Sequence, residues 1–339
     1  MKKTREAWID NVKIFACVLV ALGHLFSSMI PVGILSEGDL YAWFIQTIYF
    51  FHVPLFFICS GYLYQKYSHV ETIVDWKKNI MNKALILGVP YFAFSTITWA
   101  LKSIFTSYVN NQIEKGLFES LFIAPMAPYW YLYCLFLLFL ITPTFKRNQI
   151  AIIGLVIALV MKISSFILTD ISIYAISTVL KNEIWFVLGM CLCVIDFRGL
   201  FENVRVREKQ VGVISGLIFM VLSILVYVEN IEFFGMEFLL GLVACTATVM
   251  FCRGVFGENK QSARGVFLAE YTLPIFMMHT IFAATLRSAL LKMNITNGIL
   301  HVFFGICISF VGPIIAAMVM KHFKCLNFLL YPGKYVKIK

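Results

Sequence analysis

Long apolar runs alternate with short polar segments along the whole chain. A membrane-spanning helix needs about 20 mostly apolar residues, and ten runs reach or approach that length. They are roughly Val12–Ile30, Ala42–Tyr64, Ala84–Leu101, Trp130–Phe145, Ile150–Leu168, Ile184–Ile195 with some lead-in, Val211–Val228, Met236–Phe251, Tyr271–Leu291 and Ile299–Lys321. We therefore predict an all-α integral membrane protein with about ten transmembrane helices in one bundle.

The composition of the chain supports the same class. Of its 339 residues, 60% are hydrophobic and only 14% are charged, whereas a soluble domain carries about 25% charged residues. The longest polar stretches, Gln65–Asn82, Lys102–Pro128 and Asp196–Gln210, are too short for a separate soluble domain. We expect a single polytopic domain over residues 1–339, surrounded by membrane lipids and without a cleavable signal peptide.

The basic residues alternate from loop to loop as the positive-inside rule predicts. With the amino terminus placed in the cytoplasm, 21 lysines and arginines fall in segments predicted to be inside. Four fall outside, namely Lys102, Lys115, Lys181 and Lys292, and three lie within spans, namely Lys13, Lys162 and Arg287. This asymmetry predicts a multi-pass protein of the cell membrane with both termini in the cytoplasm. It explains the net charge of +10 without a nucleic-acid partner.

The nine cysteines nearly all lie inside apolar runs. No spacing among them matches a zinc site, and Cys191 and Cys193 have the wrong gap for a redox pair. We interpret the cysteines as small packing side chains. We therefore expect neither a metal site nor a permanently bound cofactor.

A polar stripe on the first helix is the strongest candidate for chemistry. Asp10, Lys13, Cys17, His24 and Ser27 or Ser28 fall near one face of a helix with 3.6 residues per turn. Lys13 and His24 are separated by about three turns, or roughly 16 Å along the axis. Lys13 is expected at the cytoplasmic surface and His24 near mid-membrane, where ionisable groups usually face a cavity or a partner. The alternatives are a structural histidine and a lysine that extends to the lipid headgroups.

Two further histidines are predicted at similar depth. His52 lies about eleven residues into the second span, and His279 lies about eight residues into the ninth. Three such histidines on three helices predict one shared polar cavity. Alternatively, each histidine is satisfied separately, His52 by backbone carbonyls that Pro54 frees.

Other charged residues of the spans suggest no function. Lys162 is predicted at mid-depth in the fifth span, where the sequence gives it no role. Glu183, Glu237 and Glu270 are predicted at span ends, where interfacial carboxylates are common.

Four segments resemble motifs of the membrane-bound acyltransferase family 3. Ile9–Lys13 and His24 resemble its opening motif, a basic residue followed, after ten residues, by histidine in the first helix. Phe51–Leu63 resembles its second-helix motif, in a Phe-His-x-Pro form similar to the branch related to fucose 4-O-acetylases. Pro128–Leu132 resembles its Trp-Tyr-Leu segment, and Tyr271–His279 resembles its late-helix segment ending in histidine. The ten-helix layout of the family agrees with the count of apolar runs.

This resemblance implies an integral membrane O-acyltransferase. The family transfers an acyl group from cytoplasmic acyl-CoA to a hydroxyl of an envelope or exported glycan, and we expect acetyl-CoA as the donor. The implied partners are acyl-CoA and a glycan or lipid-linked sugar acceptor. The family often has arginine at the position of Lys13. Arginine can bind phosphate in a bidentate manner, whereas the ammonium group of Lys13 offers only a point charge.

The resemblance also implies roles for individual residues. Lys13, together with Arg5, would attract the CoA phosphates. His24 would act as general base or form an acyl-histidine intermediate, and His279 would orient it or stabilise the oxyanion. The other candidates for the substrate site are Asp10, His52 and Trp130.

A transporter is the main alternative class. Intramembrane histidines and prolines within spans would suit one. Transporters often consist of two similar halves, however, and the sequence shows no internal repeat.

Overall fold

The computed structural model describes residues 6–36, 38–68, 70–105, 115–168, 170–195, 204–257 and 262–338. Within these ranges the chain forms helices and no β-strand. The α-helices are α1 (Ala7–Met29), α2 (Asp39–Tyr49), α3 (His52–Tyr67), α4 (Ile73–Lys83), α5 (Val89–Ile104), α6 (Trp130–Ile141), α7 (Asn148–Ile167), α8 (Tyr174–Val194), α9 (Val204–Val228), α10 (Met236–Phe256), α11 (Ala263–Lys292), α12 (Gly298–Met320) and α13 (Lys324–Leu330). Short π-helical turns at Ala84–Gly88 and Glu119–Ile123 and a 3₁₀ turn at Pro332–Lys334 accompany them.

Nine stretches of the described chain are long and apolar enough to cross a membrane. Seven are single helices, while α2 and α3 together form Leu40–Tyr67, and α4, the first π-turn and α5 together form Ile73–Ile104. The prediction of an all-α membrane bundle is confirmed, and the chain is a multi-pass membrane protein. The sixth predicted span is longer than expected because its apolar lead-in belongs to the same helix, α8.

The fourth predicted span, Trp130–Phe145, forms a helix that is too short to cross a membrane by itself. Helix α6 has 12 residues, or about 18 Å at 1.5 Å per residue, against a hydrocarbon core of about 30 Å. Pro128 precedes the helix and Pro143 follows it, and proline both lacks a backbone donor and disfavours helix at the residue before it. The described chain therefore has nine long spans and one short one where ten similar spans were expected.

Side chains of α3 satisfy the extended backbone that follows α6. The hydroxyl of Tyr64 donates to the carbonyl of Thr142 at 2.9 Å. The amide of Gln65 donates to the carbonyl of Phe145 at 2.8 Å and accepts from its N–H at 2.9 Å. Non-helical backbone is tolerated at membrane depth where protein groups satisfy it. The chain can thus complete this crossing partly as helix and partly as extended backbone.

Contacts between helix ends define two faces of the bundle. At one of them, which we call the near face, Lys66 at the end of α3 forms a salt bridge with Glu6, just before α1. At the opposite end, which we call the far face, Arg287 near the end of α11 donates to Ser28 near the end of α1. Helix α1 therefore runs from the near face to the far face.

Both ends of the described chain lie at the near face. Helix α1 starts there, and after α12 the hydroxyl of Tyr331 donates to the carbonyl of Glu270 in α11 at 3.1 Å. This carbonyl lacks its usual helical partner because Pro274, four residues later, has no N–H. Ends on one face require an even number of membrane crossings. The nine long spans of the described chain are an odd number, so the segment that contains α6 acts as the tenth crossing.

Helices α3 and α8 pack with their backbones nearly in contact. A Cβ on Gly61 would lie 1.9 Å from the carbonyl oxygen of Phe186, and a Cβ on Gly189 would lie 2.0 Å from that of Ile58. Only glycine permits so close an approach. The contact fixes α3, which begins at His52, against the centre of the bundle.

Gly61→Ala is expected to destabilise the protein by about 1–3 kcal/mol, because the added methyl group overlaps a backbone oxygen that moves only with its helix. Thermal unfolding of the purified protein in detergent measures this loss. Gly116→Ala is the matched control, since a Cβ at Gly116 meets no atom within 4 Å. Equal melting temperatures for the two variants would contradict the close packing.

Glu183 and Lys162 lie elsewhere than predicted, as do Lys102 and Lys181, which were assigned to outer segments but lie in α5 and α8. Glu183 was expected at a span end, but it lies in the middle of α8 and is 5% exposed, because α8 begins earlier than predicted. The hydroxyl of Thr142 donates to its Oε1 at 2.7 Å. Lys162 was expected at mid-depth, but it lies near the end of α7. It donates to the carbonyl of Lys181 at 3.1 Å and lies 4.8 Å from the ring of Phe166, so its contacts are structural.

Candidate active site

His24 lies in the last two turns of α1, where two cavities meet. The adjacent residues Gly23 and Leu25 are buried, whereas His24 itself is half-buried. A cavity of about 560 Å³ and a second of about 320 Å³ adjoin it. His24 and Ala127 line both cavities. A ring in this position can contact one ligand on each side.

The larger cavity lies between α1, α5 and α11. Its polar and charged lining includes His24, Ser28, Thr98, Lys102, His279 and Arg287. Apolar side chains such as Leu101, Phe105 and Ile281 form much of the remaining wall. This combination suits a ligand with an apolar part and a few polar or charged groups.

His279 is held in one orientation and one tautomer by its own helix. Its Nδ1 lies 2.9 Å from the carbonyl oxygen of Ile275 and 3.1 Å from that of Phe276. Carbonyl oxygens only accept, so Nδ1 carries the proton and Nε2 carries a lone pair. In the described structure Nε2 is buried and has no hydrogen-bond partner. The ring centroids of His24 and His279 are 5.4 Å apart, so an unused acceptor lies beside His24.

His52 is held in a similar way at the break between α2 and α3. Its Nδ1 donates to the carbonyl of Ile48 at 2.6 Å, and the ring of Tyr49 packs edge-on against it at 4.8 Å. The carbonyl of Ile48, rather than the Phe50 carbonyl that Pro54 would free, therefore satisfies this histidine and leaves a lone pair on its Nε2. His52 lines the smaller cavity together with His24.

Aromatic and amide side chains form another part of the smaller cavity. Trp130, the first residue of α6, lines it together with Tyr131 and Asn182. The ring of Trp130 packs against Phe57 at a centroid distance of 6.4 Å. A flat aromatic surface with hydrogen-bonding groups beside it suits a sugar ring, which has apolar faces and a polar rim.

The stripe on α1 is covered between Lys13 and His24. Lys13 and Asp10 are half-buried near the start of the helix. Cys17, which lies between them and His24, is 2% exposed, and its Sγ donates to the carbonyl of Thr272 in α11 at 3.5 Å. Helix α11 therefore lies over the middle of the stripe.

The structure thus gathers only some of the residues that the sequence proposed. Four of them lie around the two cavities: His24, His52, Trp130 and His279. Asp10 and Lys13 line neither cavity and lie closer to the near face. Arg5 lies outside the described residues.

The sequence analysis did not select Arg287 as a site residue. Its guanidinium lines the larger cavity, and its Nη1 donates to the hydroxyl of Ser28 at 2.5 Å and to the carbonyl of the same residue at 3.3 Å. The sequence held a signal, because an arginine within a span usually faces a cavity or a partner. Lys102 was assigned to an outer loop, but it lies in the last turn of α5 and lines the same cavity.

Comparison with known proteins agrees with the resemblance of the motifs. The model of acyltransferase family 3, described as an acyltransferase domain, matches residues 6–318. Nodulation protein NolL of Mesorhizobium japonicum is 28% identical over 153 residues, which are 44% of this chain and 39% of that protein. The chain thus spans about two fifths of the length of this curated relative. No solved structure matches the chain. Because the family model covers nearly the whole sequence, the chain belongs to the acyltransferase family 3.

Proposed function

We propose that this protein is a membrane O-acetyltransferase that moves an acetyl group from acetyl-CoA to a hydroxyl of a cell-surface or exported glycan. The observation that carries this proposal is the pair of His24 and His279 at the junction of two cavities. Membership of an acyltransferase family supports acyl transfer as the reaction. On the motif at Phe51–Leu63, we assign the chain to the branch related to fucose 4-O-acetylases.

In the proposed reaction, His24 acts as general base. It removes the proton of the acceptor hydroxyl, and the hydroxyl oxygen attacks the carbonyl carbon of the thioester. The carbon–sulfur bond then breaks, and the CoA thiolate leaves and takes the proton from His24. The products are the acetyl ester and CoA. An acetyl-His24 intermediate would divide the same transfer into two steps.

His279 is proposed to orient His24. Because Nε2 of His279 is an acceptor, it can receive the N–H of His24 and direct the other nitrogen of that ring towards the acceptor hydroxyl. The same contact would stabilise the imidazolium that forms when His24 takes up a proton. The arrangement does not suit the oxyanion role, which needs a hydrogen-bond donor.

The donor is proposed to approach from the near face, which we place in the cytoplasm of a cell-membrane protein. Lys13, with Arg5 before it in sequence, would attract the CoA phosphates there, and Asp10 would lie beside this site. The pantetheine arm would pass Cys17, where α1 and α11 would have to separate locally. The surrounding helices would keep water away from the thioester and limit its hydrolysis.

The sugar of the acceptor is proposed to bind in the smaller cavity beside His24. His52 and Trp130 would contact a sugar of the glycan or of a lipid-linked precursor. Residues 1–339 would carry out the transfer as one domain, without a permanently bound cofactor.

Membranes that contain the protein test this proposal when they are incubated with acetyl-CoA labelled in the acetyl group. We expect label in lipid-linked sugar or surface glycan, and no transfer above background in membranes without the protein. Mass spectrometry of surface glycans would then identify the acetylated hydroxyl. An absence of label with every acceptor supplied would contradict the proposal and favour a transporter.

Lys13→Ala is expected to raise the apparent KM for acetyl-CoA about tenfold, because losing one charge-assisted hydrogen bond weakens binding by about that factor. The kcat should change little, and Lys13→Arg should behave like the unaltered protein. Initial rates at varied donor concentration measure both constants. Lys115→Ala is the control, because Lys115 lies 3.6 Å from Glu119, away from both cavities. A lower kcat at unchanged KM would assign Lys13 to structure or chemistry instead.

A further inference from the structure

Three cationic side chains converge on the larger cavity at the far face. Lys102 at the end of α5 and Arg287 and Lys292 at the end of α11 all line it. No carboxylate is present among the described residues that line this cavity. Among the described residues that line it, the cavity beside His24 therefore has cationic side chains and no anionic one.

This charge is concentrated on the side of the membrane where the sequence places few cations. Only four lysines are predicted outside the spans on this side, and two of them, Lys102 and Lys292, line the cavity. Of the other two, Lys115 pairs with Glu119 and Lys181 lies on α8, away from the cavity. Two of these four lysines therefore lie at the same cavity as Arg287.

Arg287 adds a buried guanidinium to the same wall. Its side chain is 7% exposed, and a buried cation within a span is costly unless a partner compensates for it. Its hydrogen bonds in the described structure reach only the neutral oxygens of Ser28, and both come from Nη1. A guanidinium has five N–H donors, and those on Nη2 and Nε have no acceptor among the described residues.

We infer that this cavity binds the acetyl acceptor through a phosphate group. The planar fork of Arg287 matches phosphate oxygens, and Lys102 and Lys292 would add point charges beside it. Together, Lys102 and Arg287 exceed the single charge of a carboxylate and suit a phosphate or a pyrophosphate. This inference rests on the proposed function, since it names the class of acceptor.

The spacing along α11 sets where the phosphate would lie. Arg287 follows His279 by eight residues, or about 12 Å along the helix axis. The acceptor would therefore be an extended molecule whose phosphate binds near the far face while a hydroxyl on a distant sugar reaches His24. Either a lipid carrier or a phosphodiester in a polymer could supply such a phosphate.

A binding measurement tests the phosphate site without catalysis. Geranylgeranyl phosphate and geranylgeraniol would each be titrated against the full-length protein in lipid nanodiscs. We expect the phosphate to bind more tightly. Arg287→Gln and Lys102→Gln should each weaken its binding about 10- to 100-fold, with little effect on the alcohol. Equal binding of both ligands to the unaltered protein would overturn the inference.

Two further variants separate binding from folding. Arg287 also links α11 to α1 through Ser28, so Arg287→Lys keeps the charge and Lys102→Gln leaves that link intact. Lys181→Gln is the matched control, since it removes a far-side lysine that does not line the cavity. A loss of phosphate binding in Lys181→Gln equal to that in Lys102→Gln would show a general charge effect and overturn the inference.

Transfer assays then distinguish the sources of the phosphate. The acceptors would be a prenyl-phosphate-linked sugar, the same sugar phosphate without the prenyl chain, and the same sugar on an uncharged prenyl ether. Preference for the prenyl-phosphate-linked sugar would identify a lipid carrier as the source of the phosphate. Equal use of this acceptor and of the sugar phosphate without the prenyl chain would identify a polymer phosphodiester. Equal use of the uncharged ether overturns the inference. Phosphate-selective binding without any transfer would refute the proposed function but not the phosphate site.

Discussion

His24→Gln is expected to lose nearly all acetyl transfer while the protein still inserts and reaches normal levels in the membrane. Glutamine can form hydrogen bonds, but its amide neither accepts a proton near neutral pH nor attacks a thioester. General-base catalysis is typically worth about 10²–10⁴-fold, and the rate should fall by a factor in that range. Transfer of labelled acetyl by membranes with equal amounts of each protein measures the loss.

His301→Gln is the matched control for this variant. His301 is a histidine of α12 that is 1% exposed, and its Nε2 donates to the carbonyl of Ile295 at 2.7 Å. It lines neither of the two cavities, so transfer should be retained. If folded His24→Gln keeps more than about a tenth of the activity, far above the expected range, His24 is not the base. His279 and His52 would then become the candidates.

His279→Asn is expected to lower kcat about 10²-fold or more, because His24 loses the acceptor that orients it and that stabilises its protonated form. An asparagine amide can occupy the position of Nδ1 and keep the bonds to the carbonyls of Ile275 and Phe276. Local structure should therefore be preserved. Steady-state kinetics across pH measures kcat, both KM values and the pH profile.

The kinetic pattern separates orientation from a structural role. Loss of orientation lowers kcat and alters the pH profile, with thermal stability and donor KM nearly unchanged. A structural histidine would instead lower the melting temperature and leave the pH profile of the remaining activity as it was. That second pattern would contradict the proposed role of His279. His301→Asn, at a histidine outside both cavities, shows what a merely structural substitution does.

The sequence by itself determined the class of protein and the order of its spans. A bilayer requires about 20 apolar residues for each helix, which is a local property and can be counted along the chain. The separation of Lys13 and His24 along α1 follows from the same arithmetic, since a helix rises 1.5 Å per residue. The motifs around Lys13, His24 and His279 also identified the family, because residue types and spacing need no knowledge of packing.

Only the tertiary structure decided which of these residues meet. Whether His24 faces His279 depends on the rotation and packing of α1 and α11, which belong to opposite ends of the sequence. Packing also covered the stripe at Cys17 and placed Arg287 in the cavity wall. These contacts arise between helices far apart in the chain, and hydrophobicity along a single span does not specify which of its faces meets a particular neighbour.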